Sequence, residues 1–97
     1  MKLFVTGIGT EVGKTVVSAI LVKALQADYW KPVQAGELDY TDSDKIQSWA
    51  LPSTIHPERY RLKTPASPHY AAEIDKLKIK LSDFQLPKTS NALVVEG

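Results

Sequence analysis

Short apolar runs separated by longer mixed segments dominate the chain. Residues 2–6 (KLFVT) predict a short buried strand, and residues 29–33 (YWKPV) predict a second strand. Between them, residues 16–27 are apolar almost all round, which predicts a helix packed against a sheet. Residues 92–95 (ALVV) are continuously apolar, as is typical of a strand buried on both faces. Apolar strands separated by helical or mixed segments predict an α/β fold, with a mainly parallel sheet flanked by helices.

A second helix and a less regular region lie between the second strand and the last one. Asp42 or Ser43 suits the N-cap of a helix that stops at residues 51–52 (LP). Residues 34–41 predict a polar loop. Residues 52–68 are spaced by prolines and predict an irregular stretch with one extended segment.

Two further elements are expected before the last strand. Residues 69–76 predict a short helix after Pro68. Residues 76–81 (KLKIKL) alternate strictly between lysine and apolar side chains, which predicts a strand. Its lysine-lined face suits the edge of a sheet, where charge discourages unwanted pairing.

A glycine-rich segment, residues 7–15 (GIGTEVGKT), joins the first predicted strand to the first helix. Strand, glycine-rich loop, Gly-Lys-Thr and helix form the architecture of a phosphate-binding loop. The backbone N–H groups of such a loop bind phosphates, Lys14 adds positive charge, and the Thr15 hydroxyl can ligate Mg²⁺. The segment therefore predicts a three-layer fold of the P-loop NTPase type that binds a nucleoside triphosphate.

The spacing of this segment departs from the common pattern. Five residues separate Gly7 from Gly13, whereas the usual motif has four between the first glycine and Gly-Lys-Thr. A glycine-rich turn that happens to precede Lys14 and Thr15 is the alternative interpretation.

Composition narrows the class of protein without naming a function. The chain has 97 residues, no cysteine, 12 basic and 11 acidic side chains, and a net charge of +1. Disulfides and thiolate metal sites are therefore excluded, and no basic block favours nucleic acid or a membrane surface. The apolar runs are too short to span a membrane. We expect a soluble cytoplasmic protein.

The last predicted strand lies two residues before the end of the sequence. The apolar run at residues 92–95 is followed only by Glu96 and Gly97, at the point where a central strand would reach an active edge. We expect residues 1–97 to form a single ATP-binding P-loop domain that is truncated at its C-terminal end. A complete small domain with a C-terminal strand is the alternative.

Polar residues at the carboxyl ends of the strands are the candidates for chemistry. In parallel sheets, ligands bind beyond these ends, and residues 7–15, Lys31 and Glu96 all lie there. Lys31 is either a cation aimed at a phosphoryl group or anionic substrate, or an exposed terminal lysine. Thr15, Asp44 and Glu96 would supply three hard oxygen ligands for Mg²⁺. The alternatives are a helix cap for Asp44 and a solvated strand end for Glu96.

Residues 5–15 (VTGIGTEVGKT) resemble the start of dethiobiotin synthetases, which share the five-residue gap. The similarity continues in order and rough spacing at residues 31–36 (KPVQAG), 43–44 (SD), 65–69 (PASPH) and 94–97 (VVEG). Many ATPases share the loop alone, so the combination of motifs carries the resemblance. His56 and His69 have no ligand spacing and are interpreted as structural or surface residues.

The resemblance implies a reaction and a homodimer. Members of this family use ATP and Mg²⁺ to carboxylate 7,8-diaminononanoate with CO₂ and close the ureido ring of dethiobiotin, in biotin biosynthesis. Lys31 and Lys14 would be the catalytic cations, and Lys31 and Ala35 would meet the substrate. Many members carry a hydroxyl residue where Ala35 stands, so a side-chain contact would be lost here. The cofactor-binding residues would be Thr10, Glu11, Val12, Gly13, Lys14, Thr15, Val16, Asp44, Glu96 and Gly97, with Thr15, Asp44 and Glu96 serving the metal.

Other functions remain open at this point. An amidotransferase of the cobyrinate a,c-diamide synthase type has a similar loop but needs a glutaminase domain downstream. A partition-type ATPase switch usually carries an additional lysine early in the loop, whereas this loop has only Lys14. A nucleotide-binding fragment without activity of its own is the third alternative.

Overall fold

The structure is a computed structural model that describes residues 1–6, 11–51, 54–65, 73 and 84–97. The secondary structure of these residues follows the predicted alternation of strands and helices. In chain order it comprises β1 (Lys2–Val5), α1 (Glu11–Leu25), β2 (Asp28–Trp30), β3 (Val33–Ala35), α2 (Asp42–Ala50), β4 (Ile55–His56), β5 (Tyr60–Leu62) and β6 (Leu93–Glu96). The predicted elements at residues 69–76 and 76–81 lie outside the described residues, apart from Glu73, which is helical.

The larger sheet confirms the predicted parallel α/β architecture. Its strand order is β1-β6-β2-β4, and every neighbouring pair is parallel. The last strand therefore lies in the middle, with Val94 paired to Leu3 on one side and to Tyr29 on the other. All residues of β6 are buried, as its continuous apolar run predicts.

The predicted strand at residues 29–33 is divided between two sheets. β2 ends at Trp30, and β3 pairs with β5 in a separate parallel sheet. Pro32 has no N–H to donate, and its carbonyl instead accepts hydrogen bonds from the backbone N–H groups of Arg59 (2.7 Å) and Tyr60 (3.0 Å). The prediction of a loop over residues 34–41 is therefore wrong at its start, because Val33–Ala35 forms a short strand.

Helix α1 begins earlier and packs differently than the sequence predicts. It begins at Glu11 rather than at Val16, so the Gly-Lys-Thr sequence lies within its first turns. Its buried positions combine polar and small apolar side chains: Thr15, Ser18, Ala19 and Val22. Val17 and Ile20 are 48% and 62% exposed, so the packed face is narrower than the apolar pattern indicates.

Helix α2 has the predicted extent but a different N-cap. Thr41 caps it, since the Asp44 backbone N–H donates to Thr41 Oγ1 (3.2 Å) and the Thr41 N–H donates to Asp44 Oδ2 (2.9 Å). This reciprocal capping box satisfies two N–H groups that the first turn would otherwise leave unpaired. Asp42 and Ser43, the predicted caps, are instead buried within the first turn.

Side chains on the two faces of the sheet form separate apolar clusters. The cluster on the helix side comprises Val5, Ala19, Val22, Ala27, Tyr29, Ile46, Ala50 and Val94. Trp30, Leu93 and Val95 pack together on the other face. Because side chains alternate along a strand, Glu96 shares the helix-facing side of β6 with Val94. No described helix has the length and apolar character needed to cross a membrane.

A hydrogen-bond network at the start of β2 fixes the segment that leads into β6. The buried carboxylate of Asp28 accepts from Thr89 Oγ1 (2.6 Å) and Asn91 Nδ2 (3.1 Å), and it contacts His56 Nε2 at 3.0 Å. Burial alone would raise the pKa of Asp28, but the hydrogen bonds and the charge of His56 outweigh it and lower the pKa. His56 thus has a structural contact, as interpreted from the sequence.

We expect Asp28→Asn to destabilise the fold by about 1–3 kcal/mol at pH 7, because an amide cannot accept from all three partners. A lowered pKa means that the stabilisation is present above the ordinary value of 3.8 and is lost as the pH falls through the folded-state pKa. The difference from wild type should therefore shrink in acid. Urea unfolding of the full-length protein between pH 7 and pH 3 measures this. The exposed Asp39→Asn is the matched control, and an equal loss in both variants would contradict the prediction.

Candidate functional site

Side chains from four segments meet at the carboxyl ends of β2 and β6. Thr15 comes from α1, Lys31 directly follows β2, Asp42 begins α2, and Glu96 ends β6. The sequence predicted three of these residues to converge, namely Thr15, Lys31 and Glu96. The parallel order β1-β6-β2 brings them together because it places these strand ends along one edge.

Glu96 is the centre of this cluster and is fully buried. Its Oε1 accepts a hydrogen bond from the Tyr29 hydroxyl (3.0 Å), and its Oε2 accepts from Thr15 Oγ1 (3.1 Å). Burial raises the pKa of Glu96, the positive charge of Lys31 lowers it, and the charge of Asp42 raises it again, with a net upward shift. Burial and the Glu96 charge likewise raise the pKa of Tyr29, so its hydroxyl remains a donor. Glu96 is therefore a buried carboxylate held by several groups, not a solvated strand end.

Lys31 lies between two carboxylates. Its Nζ forms an ion pair with Asp42 and lies 3.7 Å from Glu96 Oε2. The residue is only 6% exposed, so the alternative of an exposed terminal lysine does not apply. β2 ends at Trp30, and Lys31 lies between this strand end and Pro32, which has no N–H to continue the ladder.

Asp42 is the member of the cluster that the sequence did not predict. Its side chain is 1% exposed, and it also contacts Lys45 Nζ at 3.5 Å. The Asp42 backbone N–H donates to Gln34 Oε1 (3.2 Å), and Gln34 Nε2 donates in turn to the Gly36 carbonyl (3.0 Å). Burial would lower the pKa of Lys45, but the charges of Asp42 and Glu37 outweigh it and raise the pKa.

Asp44, the predicted metal ligand, occupies a different place. It is exposed, and its carboxylate accepts the Thr41 N–H in the capping box. The structure thus shows Asp44 in a helix cap, which was the alternative interpretation of this residue. The proximity of Asp42 and Asp44 within one first turn explains why the sequence alone could not tell which carboxylate faces Lys31.

The described part of the phosphate loop consists of the first turns of α1. Glu11 and Val12 are the first residues of this helix, and Gly13 follows them. Lys14 Nζ donates to the Gly97 carbonyl (3.2 Å), and the Gly97 N–H donates to the Val5 carbonyl (2.9 Å). Val16 is exposed, and Thr10 lies outside the described residues. The N-terminal end of α1, which carries the positive end of the helix dipole, therefore lies near the ends of β1 and β6.

The segment 31–36 contacts the start of the segment 65–69. Gly36 has φ +77°, and a Cβ at this position would lie 2.6 Å from Pro65 Cβ, so only glycine fits. Ala35 is half-buried and packs beside Leu62 in the smaller sheet. Its predicted contact with substrate stays a prediction.

The donor set fits a hard cation. A buried hydroxyl and a buried carboxylate, from Thr15 and Glu96, lie 3.1 Å apart, and oxygen ligands of this kind are those that Mg²⁺ prefers. Across the described ranges, no three or more His, Asp or Glu side chains gather into a metal-binding group.

A parallel sheet, a Gly-Lys-Thr sequence in the first turns of the following helix, and buried charges at the strand ends define a nucleotide-binding α/β protein of the P-loop class. Residues 1–97 match the family described as AAA domain. The chain belongs to this family.

Curated relatives give a more specific similarity. The chain is 52% identical over 96 residues to the ATP-dependent dethiobiotin synthetase BioD of Christiangramia forsetii, covering 97% of this chain and 46% of the relative. It is 54% identical over 98 residues to the protein of that name from Rhodopseudomonas palustris, covering 99% of this chain and 46% of the relative. The protein of that name from Cytophaga hutchinsonii is 54% identical over 99 residues, covering 99% of this chain and 48% of the relative. The chain thus spans about half the length of these relatives, and the resemblance stated from its motifs is confirmed.

We expect Asp42→Asn to cost about 3 kcal/mol of unfolding free energy, because it leaves the buried Lys31 ammonium with Glu96 alone at 3.7 Å. Lys45→Met removes a second partner of the same carboxylate but at a more exposed position, and should cost less than about 1 kcal/mol. Denaturant unfolding at neutral pH compares the two. Equal effects of Asp42→Asn and Lys45→Met would contradict the assignment.

Proposed function

We propose that the protein carrying this chain is an ATP-dependent dethiobiotin synthetase. It converts 7,8-diaminononanoate, CO₂ and ATP into dethiobiotin, ADP and phosphate. The observation that carries the proposal is the buried Lys31 ammonium beside Thr15 and Glu96 at the strand ends, next to the first turns of α1. The identity of 52% to 54% with proteins of that name supports the same reaction.

The reaction requires positive charge more than covalent help. One amine of the substrate attacks CO₂ and loses a proton to give a carbamate. A carbamate oxygen then takes the γ-phosphoryl group of ATP, and ADP leaves. The second amine attacks the carbonyl carbon of this mixed anhydride, closes the ring and expels phosphate. Both partners of the phosphoryl transfer are anions, so cations must lie between them.

Lys31 and Lys14 are the cations we assign to this task. Lys14 lies in the first turns of α1, where outer phosphates bind in P-loop proteins. An ammonium has three N–H donors, so Asp42 and Glu96 leave Lys31 able to donate to an anionic substrate. The two carboxylates also fix the direction of its side chain. The backbone at residues 11–16 would surround the phosphates, with Thr10 beside the reacting groups.

Mg²⁺ would be held by Thr15 and Glu96, with Asp44 as a third ligand. When bound, it would neutralise negative charge on the phosphates during transfer. Asp44 can take this role because its capping bond uses only Oδ2, and a carboxylate accepts several contacts. By family resemblance we also propose a cytoplasmic homodimer.

The decisive experiment is phosphate release from ATP by the full-length protein. We expect release to be stimulated by 7,8-diaminononanoate with bicarbonate, and dethiobiotin to be formed. Lys31→Ala should reduce turnover on the order of 10²- to 10³-fold while ADP binding survives. Lys45→Ala is the matched control, because Lys45 contacts Asp42 from the opposite, more exposed side.

Unchanged turnover in Lys31→Ala would reject Lys31 as the catalytic cation. Stimulation by glutamine with a cobyrinate substrate, and not by the diamine, would favour the amidotransferase alternative. Phosphate release that depends on protein concentration, and on neither the diamine nor glutamine, would favour an ATPase switch.

A second experiment separates the two roles of Asp44. Asp44→Asn and Thr41→Ala both break the capping box and should each cost about 1 kcal/mol of stability. Only Asp44→Asn removes a carboxylate, so only it should raise the Mg²⁺ concentration needed for ADP binding, by several-fold. Isothermal titration of ADP at a series of Mg²⁺ concentrations measures this. Identical Mg²⁺ dependence in both variants would assign Asp44 to the cap alone.

A further inference from the structure

Tyr29 lies in β2, two residues before Lys31, and the sequence did not predict it as a site residue. It is the middle residue of β2, paired with Val94 of β6 on one side and Ile55 of β4 on the other. Its side chain is fully buried in the cluster between the sheet and the helices. Phenylalanine would fill the same space without a hydroxyl. Burying a hydroxyl is costly unless it forms a hydrogen bond. The hydroxyl of Tyr29 is bonded, and its acceptor is Glu96 Oε1 at 3.0 Å.

The two oxygens of Glu96 have different partners. Oε1 accepts from Tyr29, whereas Oε2 accepts from Thr15 and lies 3.7 Å from the Lys31 ammonium. The terminal torsion of a glutamate is broad, so packing alone fixes the plane of its carboxylate poorly. A donor on Oε1 selects one orientation and leaves Oε2 directed at the first turns of α1.

A competing donor makes this selection necessary. Ser18 follows Thr15 by about one helical turn on the buried face of α1, and its buried Oγ has no hydrogen-bond partner among the described residues. Ser18 lies on the same buried face of α1 from which Thr15 reaches Glu96. A carboxylate released by Tyr29 could therefore turn toward Ser18 and away from Thr15.

We propose that Tyr29 is a positioning residue, whose hydroxyl holds Glu96 Oε1 so that Oε2 stays with Thr15 on the side that receives the metal and nucleotide. The proposal rests on one part of the proposed function, namely that Glu96 faces a divalent cation that binds together with a nucleotide. It requires no particular second substrate. Tyr29 itself touches neither the nucleotide nor the reacting atoms.

The test is Tyr29→Phe in the full-length protein, read out as binding of Mn²⁺ in the presence of ADP by electron paramagnetic resonance. We expect the apparent Mn²⁺ affinity to fall about 10-fold, as is usual when a group that orients a metal ligand is removed. Turnover should fall with little change in the KM for the diamine. Ser18→Ala added to Tyr29→Phe should restore part of the affinity, because it removes the competing hydroxyl.

Trp30→Phe is the matched control. It removes a donor from the neighbouring residue on the opposite face of β2, where Trp30 Nε1 donates to the Pro57 carbonyl at 3.0 Å. It should lower thermal stability without moving the Mn²⁺ titration. An unchanged titration in Tyr29→Phe, or an equal change in Trp30→Phe, would overturn the proposal.

The assay also separates this proposal from the proposed function. If the diamine fails to stimulate phosphate release but the Mn²⁺ shift is seen, the function is wrong and the positioning role stands. Absence of Mn²⁺-dependent ADP binding in the wild type would overturn the positioning role. Should Tyr29→Phe fail to fold, 3-fluorotyrosine at position 29 keeps the hydrogen bond, and its ¹⁹F resonance must shift when Mg²⁺ and ADP bind. An unmoved resonance would equally overturn the proposal.

Discussion

The buried ion cluster around Lys31 is the interaction on which the rest of this structure depends. Two carboxylates, Asp42 and Glu96, face one ammonium at the sheet edge, and Lys45 contributes a second cation to Asp42 from the solvent side. Taking charges out of water is costly unless they are paired and hydrogen-bonded. The balance of two positive and two negative groups, together with donors from Tyr29 and Thr15, makes this burial tolerable. The same arrangement keeps an ammonium at the place where anions would meet.

The order of strands creates this cluster. β6, the last strand in the sequence, lies between β1 and β2, so Glu96 at its end neighbours both the start of α1 and the residue that follows β2. β2 ends at Trp30, and Lys31 leaves the sheet directly before Pro32. Gln34 then holds the first turn of α2 by accepting the Asp42 N–H. The four segments are distant along the chain, and only the parallel topology makes them adjacent.

The sequence predicts the parts of this fold that strong local patterns specify. The apolar run of β6, the Gly-Lys-Thr sequence, and the positions of Lys31 and Glu96 all follow from it. It does not predict β3, because three residues give too little periodicity and a proline precedes them. It also misses Asp42 and the role of Tyr29. Both depend on tertiary neighbours, since an aspartate in a helical first turn and a tyrosine in a strand have ordinary local explanations.

The first turn of α2 links stability to ligand binding. Its N–H groups attract the Asp44 carboxylate through the capping box, while a divalent cation bound at Thr15 and Glu96 would attract the same carboxylate from outside the helix. The capping interaction contributes only about 1 kcal/mol, so coordination to a divalent cation could shift Asp44 without unfolding the helix. Asp42, two residues earlier, is instead paired with Lys31. The two carboxylates of this first turn therefore serve different interactions, the helix cap for Asp44 and the buried ion pair with Lys31 for Asp42.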